Sequence, residues 1–380
     1  MGFAFKSKEF TDEPEDIRLV RGANIGQGTL KWDQKRRFPA ERYDEFEKYH
    51  LRPGDVVLAM DRPWIDAGLK WAVVSKDEVP ALLVQRVARL RGTQTLVHEF
   101  VRYVIGSPEF EAYVQPIVTG VNVPHISGSQ IEDFRFRIPP VKAQKEIASL
   151  LGTFDKLIEN NRRRIEIVEE MARLIYREWF VHFRFPGPED VELVDSDLGP
   201  IPDGWKVRPL SAVLELAYGK ALKADDRRGG DVAVYGSGGI VGWHDEALVD
   251  GPGIVVGRKG NVGAVYWSDV DFYPIDTTYF VKSEMPLSFV YHQLQTLEFI
   301  DSHAAVPGLS RDQAYSLRVV VPARGALASF DDTVSPMYEL RRNLIAQNDV
   351  LTNARDLLLP RLISGEFDVS DLDLDLERVA

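Results

Sequence analysis

Two long stretches of the chain carry apolar residues at alternating steps of four and three. The first runs from Ile147 to Trp179 and the second from Phe330 to Leu358, with charged and polar residues between the apolar positions. This alternation is the heptad pattern of helices that pack side by side, so it predicts two long helices forming a coiled coil. The predicted seam consists of Ile147, Leu151, Phe154, Ile158, Ile165, Val168 and Ile175 with Met337, Leu340, Leu344, Leu351 and Leu358.

Two residues interrupt the apolar seams. Asn161 falls within the first seam, where it either fixes the register of the pair or lies at a solvated edge. Pro336 falls within the first turns of the second stretch. Because proline lacks the backbone N–H that a helix interior needs, we expect a late start or a kink there.

The second half of the chain repeats the first. Val123-Pro-His-Ile-Ser-Gly-Ser-Gln130 reappears 183 residues later as Val306-Pro-Gly-Leu-Ser-Arg-Asp-Gln313, and the same offset carries the first seam onto the second. Upstream, Gly54–Leu58 resembles Gly253–Gly257, and each is an apolar run typical of a buried strand. This self-similarity predicts two domains of one design, each followed by a helix.

The predicted fold class is therefore α+β, with two similar mixed α/β domains separated by two long helices that pair as an antiparallel coiled coil, in an internal pseudo-twofold repeat. The expected boundaries are 1–140 for the first domain, 141–183 for the first helix, 184–203 for a linker, 204–323 for the second domain, 324–366 for the second helix and 367–380 for an acidic tail. The segment Gly204–Tyr218 has no counterpart before Gly2, so we expect the first domain to lack its opening segment.

Composition and charge narrow the class of protein. A chain of 380 residues with 44% hydrophobic and 27% charged residues has ordinary globular composition and room for two or three domains. It contains no cysteine, which excludes disulfides, and no apolar run of the roughly 18 residues that a membrane span requires. The net charge of −12 does not exclude nucleic acid, because residues 1–140 are neutral and much of the deficit lies in residues 184–199 and 324–380.

Sequence motifs for catalysis are missing. Gly236–Gly242 reads G-x-G-x-x-x-G and not the dinucleotide fingerprint, Gly219-Lys220 does not complete a Walker A motif, and neither Glu-x-Lys nor G-x-S-x-G occurs. The seven histidines include no i,i+4 pair for a metal. We therefore expect no catalytic residue, no metal site and no cofactor in this chain.

Basic and polar residues gather near predicted turns, as contacts to DNA phosphates and bases require. The strongest case is the loop Gly257–Gly263, where Arg258 and Lys259 follow a buried strand and the backbone can approach a phosphate. For any other single residue an ordinary solvated charge is the alternative. The candidate DNA-binding residues are Lys6, Lys8, Arg21, Asn24, Lys31, Lys35, Arg36 and Arg37 in the first domain and Lys220, Lys223, Arg227, Arg228, Arg258, Lys259 and Asn261 in the second.

Several segments together resemble the specificity subunits of type I restriction–modification systems. They are Gly2-Phe-Ala-Phe-Lys-Ser7, Gly257-Arg-Lys-Gly-Asn-Val-Gly263, Ile138-Pro-Pro with Gln144-Lys-Glu-Ile147, Trp179-Phe-Val-His-Phe-Arg-Phe-Pro186, and Leu198-Gly-Pro-Ile-Pro202 with Gly204-Trp205. The resemblance covers nearly the whole chain. It implies two target-recognition domains that each read half of a split DNA sequence, with the paired helices as the spacer.

The resemblance also implies partners. These are double-stranded DNA, two modification subunits that carry the methyltransferase, and restriction subunits that join through the complex. S-adenosylmethionine, ATP and magnesium are then expected in the partner subunits, this chain is expected to be non-catalytic, and its location is expected to be the cytoplasm of a bacterium or archaeon. Candidate contacts to the modification subunits are Arg173, Arg177, Arg355 and Arg361, with an ordinary solvated helix face as the alternative for each of them.

Two other functions stay open. The first is a self-sufficient modification enzyme fused to its reader, which the absent cofactor motifs oppose. The second is a coiled-coil adaptor that binds only protein, which predicts no DNA binding even when a modification subunit is supplied.

Overall fold

The chain divides into two units. The computed structural model describes residues 1–32, 35–65, 68–118, 124–187, 191–299 and 308–367. Unit 1 combines Met1–Glu159 with Asp349–Ala380, and unit 2 is Asn160–Asn348. Each unit therefore contains one mixed α/β domain and a portion of both long helices.

The domain of unit 1 is built on two small sheets. The described strands are β1 Ile17–Val20, β2 Gln27–Gly28, β3 Arg37–Phe38, β4 Val56–Ala59, β5 Trp64–Ile65, β6 Gly68–Leu69, β7 Trp71–Val73, β8 Ala81–Leu83 and β9 Val87–Leu90. One sheet has the order β2-β7-β4-β9 and the other β3-β1-β8, while β5 pairs with β6. Strand β4 is apolar throughout because both of its faces are covered, so that Val56 and Leu58 pack into one core and Val57 and Ala59 into another.

Three short helices complete this domain. They are α1 Val101–Ile105, α2 Pro108–Val118 and α3 Gly128–Glu132. Phe110 and Val114 of α2 pack against Val56 and Leu58 of the central strand, which fixes α2 on one face of the sheet. Ser127 caps α3 by accepting a hydrogen bond from the N–H of Gln130, at the end of the first repeated motif.

The domain of unit 2 follows the same plan with additional strands. After α4 (Val141–Tyr176), the described elements are β10 Leu193–Val194, β11 Ile201–Pro202, β12 Lys206–Pro209, β13 Glu215–Tyr218, β14 Val232–Gly236, β15 Gly239–His244, β16 Gly253–Gly257, β17 Val265–Ser268, β18 Phe272–Pro274, β19 Thr278–Lys282, α5 Leu287–Gln295, α6 Arg311–Ser316 and β20 Arg318–Val321. The sheets are β13-β19-β16-β17, β15-β14-β18, β12-β20 and β10-β11.

The pairings of the central strands confirm the internal repeat. Strand β4 lies between two antiparallel neighbours, as β16 does, and both are fully buried. Strands β1 and β14 each pair antiparallel with one neighbour and parallel with another. The two units therefore share a fold as well as a sequence pattern.

The units differ where the sequence comparison found no counterpart. Strands β12 and β13 lie within Gly204–Tyr218, and β12 pairs along the whole of β20. The segment of unit 1 that corresponds to β20 is Arg135–Ile138. It forms no strand and is exposed at every residue.

Both long helices are present and each enters both units. Helix α4 is followed by a π-helical turn, Arg177–Val181, and the second helix, α7, is Arg324–Ser364. The expected late start at Pro336 is wrong, because α7 begins at Arg324 and continues through the proline. The lost backbone hydrogen bond is tolerated next to Phe330 and Val334, which are fully buried and anchor this part of the helix.

The helices pair antiparallel in each unit. In unit 1, Ile147 and Leu151 of α4 pack in one cluster with Leu359 and Leu362 of α7. In unit 2, Asn161 is buried in the seam and its Nδ2 donates to Gln347 Oε1 over 3.4 Å, so Asn161 does not lie at a solvated edge.

Most of the predicted seam residues are buried or half-buried. Leu340 is the exception: it is 37% exposed and lies at the margin of the seam. Within the described ranges, no helix combines the length and the apolar content that crossing a membrane requires.

Candidate nucleic-acid interface

The loop after strand β16 is a tightly constrained turn that carries basic residues. Gly260 and Gly263 have φ angles of +84° and +76°, which favour glycine. The N–H groups of Arg258 and Lys259 both donate to the carbonyl of Thr277, over 2.9 and 3.1 Å. The backbone is therefore fixed, while the side chains of Lys259 and Asn261 are exposed.

Two guanidinium groups contact one tyrosine beside this loop. The guanidinium carbons of Arg258 and Arg311 each lie 5.0 Å from the ring centroid of Tyr218, whose side chain is half exposed. Arg258 also donates to the carbonyl of Asp276 over 3.0 Å. Cation–π contacts hold both arginines at the surface and leave their remaining N–H groups available to an anion.

The sequence did not single out Tyr218 or Arg311. Arg311 lies within the repeated motif Val306–Gln313, and Gly128 stands at its position in the first copy. A basic residue in one copy of a repeat and glycine in the other is a signal that could have identified it.

The remaining candidates of unit 2 fall into two groups. Lys220, Lys223 and Lys259 are exposed and make no ion pair within the described residues. Arg228, by contrast, is bound to the carboxylates of Asp245 and Glu246, and Arg227 donates to the carbonyl of Val241. The contacts of these two arginines therefore stabilise the β14–β15 hairpin.

The candidates of unit 1 divide in the same way. Lys6, Lys8, Lys31 and Lys35 are exposed and make no ion pair within the described ranges. Arg36 pairs with Asp12 over 2.7 Å, Arg37 donates to the carbonyl of Asp16, and Arg21 is half-buried.

Asn24 corrects one member of the predicted set. It is completely buried, its Oδ1 accepts from the N–H of Arg21 and its Nδ2 donates to the carbonyl of Lys31. The amide therefore closes a turn of the backbone and is not presented to a DNA base. A polar residue in a Gly-containing turn resembled an exposed reader because the sequence does not reveal which turns are covered.

The surface of unit 1 that corresponds to the Arg258 loop has different chemistry. Asp61 and His125 form a β-bridge there, as Lys259 and Gly308 do in unit 2. The Asp61 carboxylate accepts from Arg86 over 2.9 Å and lies 2.7 Å from Nδ1 of His125. Although burial alone would raise it, these hydrogen bonds hold the pKa of Asp61 below its usual range.

Comparison with known proteins shows which proteins the chain is similar to. Residues 107–170 match the model of the type I restriction modification DNA specificity domain. The chain is 37% identical over 159 residues to the specificity subunit of the type I restriction enzyme EcoAI of Escherichia coli, covering 42% of this chain and 26% of that subunit. It is 25% identical over 311 residues to the MjaIX specificity subunit of Methanocaldococcus jannaschii, covering 73% of this chain and 71% of that one.

A solved structure shows the same fold. The type I restriction–modification S subunit of M. genitalium superposes with a TM-score of 0.51 at 16% identity, covering 95% of this chain and 92% of that chain. The matched domain model and both of these relatives are of type I restriction–modification specificity subunits, and the chain is similar to them. The alignment to the EcoAI subunit spans about a quarter of that relative's length.

A largely buried ion network joins the domain of unit 1 to both long helices. Asp155 of α4 accepts from Arg355 of α7 over 2.8 Å and from Tyr103 Oη over 2.7 Å. Arg102 of the domain lies 3.2 Å from the same carboxylate. The carboxylate of Asp155 is only 11% exposed, so each contact acts with little competition from water.

Unit 2 has a network whose central group carries the opposite charge. Arg341 of α7 donates to Glu169 of α4 over 2.5 Å and to Asp269, which directly follows strand β17. Asp269 also accepts from the indole N–H of Trp267 over 2.8 Å. Here a guanidinium lies between two carboxylates, and it again joins one domain to both helices.

Part of the helix surface outside the seam is apolar. On α4 of unit 2, Ile167, Met171 and Leu174 are 58%, 45% and 43% exposed, and on α7 of unit 1, Val350 and Leu357 are 68% and 70% exposed. The 183-residue offset maps Ile167 onto Val350 and Leu174 onto Leu357. Both copies of the repeat therefore carry an apolar face that the described residues leave exposed.

Proposed function

We propose that this chain is a specificity subunit of a type I restriction–modification system and that it recognises a bipartite DNA target, with each unit reading one half. The observation that carries the proposal is the pair of corresponding surfaces, Arg258–Tyr218–Arg311 in unit 2 and Asp61–Arg86–His125 in unit 1. Arginine donates to guanine and to phosphates, whereas a carboxylate accepts from the amino group of cytosine. Two surfaces of one fold with different chemistry suit two half-sites of different sequence.

The paired helices set the unread gap between the half-sites. A helix advances about 1.5 Å per residue, so one heptad corresponds to about 10 Å, or roughly three base pairs of duplex. Deleting Ile158–Arg164 together with Arg342–Asn348 removes one heptad from each helix and keeps both ion networks. We expect the recognised gap to shorten or binding to be lost, while the full-length Arg162→Ala variant keeps the original gap.

The apolar faces on α4 and α7 dock helices of two modification subunits, one for each unit. Exposed apolar side chains repeated at matching positions suit two copies of one partner. Arg355 and Arg173 contribute less than the sequence indicated, since Arg355 pairs with Asp155 and Arg173 with Glu170 over 2.6 Å.

Methylation and cleavage belong to partner subunits in this proposal. S-adenosylmethionine, ATP and magnesium are bound there, and the specificity subunit supplies sequence recognition. Because its net charge is −12, DNA binding by the isolated subunit is weak and basic partner surfaces add to the grip on phosphates.

Sequencing the methylated bases of cells with and without the gene tests the proposal directly. We expect a split motif that disappears when the gene is deleted, and the Arg258→Ala/Arg311→Ala variant to relax or lose one half of it alone. Lys282→Ala, which removes an exposed lysine of the same unit, is the matched control. Loss of specificity in both halves would contradict modular reading, and a methylation pattern independent of the gene would favour a protein-only adaptor.

Methyltransferase activity of the purified chain alone would favour the self-sufficient enzyme. The same preparation should be assayed with its modification subunit, because the proposal requires activity only in that mixture.

A further inference from the structure

A cavity of about 350 Å³ lies in unit 2 between α4, α5, α7 and strand β17. Aromatic rings form much of its wall. The centroids of Trp267 and Tyr338 are 4.5 Å apart, and Tyr291 meets Trp267 edge to face at 5.6 Å. Ala172 of α4 lines the same cavity.

The internal repeat relates this cavity to the ion network of unit 1. The helix offset places Tyr338 at the position of Asp155 and Ala172 at the position of Arg355. The segments Phe100–Ile105 and Phe289–Leu294 align as well, since each starts with a fully buried phenylalanine and ends with a buried aliphatic residue.

This second alignment completes the correspondence. It places Tyr291 at the position of Arg102 and His292 at that of Tyr103. All four members of the unit 1 network therefore have their counterparts in the lining of the cavity. The cavity lies where unit 1 holds an arginine side chain, and alanine stands at the position of that arginine.

Two polar groups in the lining have no partner. Nδ1 of His292 is buried without a hydrogen bond within the described residues, although its Nε2 lies 3.1 Å from Tyr338 Oη, and the whole residue is 4% exposed. The carboxylate of Glu166 also lines the cavity and makes no ion pair in the described part of the chain.

The charges around the cavity favour a cation. Glu166, Glu169 and Glu170 line it against two arginines, Arg173 and Arg341, which already pair with Glu170 and Glu169. Burial lowers the pKa of His292 to about 4, so the imidazole is neutral at pH 7 and adds no positive charge.

We propose that this cavity binds a guanidinium group supplied from outside the chain. A guanidinium is planar and stacks on aromatic rings such as Trp267 and Tyr338. Its N–H groups can donate to the free carboxylate of Glu166. Unit 1 satisfies the corresponding position with its own Arg355, whereas unit 2 leaves the position to a small guanidine compound or to an arginine side chain of another protein.

Thermal unfolding of the full chain with ethylguanidine tests the group chemistry. We expect a saturable rise in the midpoint temperature of unfolding, which ammonium chloride at equal ionic strength does not produce. The Glu166→Gln variant changes an exposed side chain without altering packing, and it should weaken the response at least fivefold. Glu159→Gln, on the same helix outside the cavity, should leave the response unchanged.

The Ala172→Arg variant supplies the group within the chain. It should abolish the response to ethylguanidine, whereas Ala172→Ser should retain it. A response that is not saturable, or that survives unchanged in both Glu166→Gln and Ala172→Arg, overturns the proposal.

Agmatine and an arginine-containing peptide distinguish the two sources. A natural small ligand predicts that agmatine binds at least tenfold more tightly than ethylguanidine, because its additional atoms fill the cavity. If an arginine of another protein is the natural occupant, agmatine should bind no more tightly than ethylguanidine, and the arginine-containing peptide should bind more tightly. Either gain supports the guanidinium site, and none of these measurements depends on DNA recognition.

Discussion

The two ion networks connect domain to helices with opposite charges. In unit 1 the carboxylate of Asp155 lies among Arg102, Arg355 and the hydroxyl of Tyr103. In unit 2 the guanidinium of Arg341 lies between Glu169 and Asp269. The two networks do not occupy corresponding positions, because the 183-residue offset maps Asp155 onto Tyr338 and Ile158 onto Arg341. A domain moved to the other end would therefore leave its own charged group without a counter-charge. Repeated domains of one fold can be kept in separate places in this way.

Removing the central carboxylate of unit 1 should have the largest effect. Asp155→Ala leaves two guanidiniums in a largely buried site without a counter-charge, so we expect unit 1 to lose about 4 kcal/mol of unfolding free energy. Denaturant unfolding followed by hydrogen exchange of unit 1 amides measures this loss. The control is Asp12→Ala, which removes the carboxylate of the exposed ion pair with Arg36. It should cost under about 1 kcal/mol of unfolding free energy. A loss equal to that of the control would show that the network is not stabilising.

The second largest effect should be a difference between the two units in the loss of stability at low pH. The pKa of His292 is lowered by burial to about 4, while the unfolded histidine titrates near 6.5. The unfolded state therefore binds the additional proton, and stability present above about pH 6.5 is lost as the pH falls towards 4, by up to about 3 kcal/mol. Tyr103 at the corresponding position of unit 1 does not titrate in this window.

Hydrogen exchange of both units between pH 7 and 4.5 measures the difference. Unit 2 should weaken more steeply than unit 1, and His292→Gln should remove the excess slope. Equal slopes in the unmodified chain would contradict a buried neutral histidine.

Breaking the network of unit 2 should cost less than breaking that of unit 1. In Arg341→Met the carboxylate of Glu169, which is 49% exposed, returns to water, and Asp269 keeps the indole N–H of Trp267. We expect a loss of about 2 kcal/mol from unit 2, measured by the same exchange experiment. An equal loss of unfolding free energy in Arg341→Met and Asp155→Ala would contradict the expectation that solvent access to Glu169 makes the unit 2 network less costly to break.

The sequence predicted the long helices and the repeat because their signals are local or periodic. The 4-3 spacing from Ile147 onward needs no tertiary information, and a fixed offset exposes duplication directly. Strand β4 was recognisable for the same reason, as a short continuous apolar run.

The networks could not be predicted from the sequence because their members are distant in the chain. Nothing local connects Arg102, Asp155 and Arg355, and each looks like an ordinary charge on a helix. Asn24, by contrast, was predicted to contact DNA although it is buried, because its turn resembles an exposed loop in the sequence. Burial is a property of the assembled core, and one sequence records it only indirectly.

The route of the chain through the units affects how the protein is made. Phe100 and Ile147 of unit 1 pack with Leu359 and Leu362, which are synthesised only after all of unit 2. Unit 2 is one continuous stretch, so on the ribosome it can close its core while unit 1, although begun first, still presents an open apolar face. A chaperone that shields this face during translation would act on the half of the protein that emerges first.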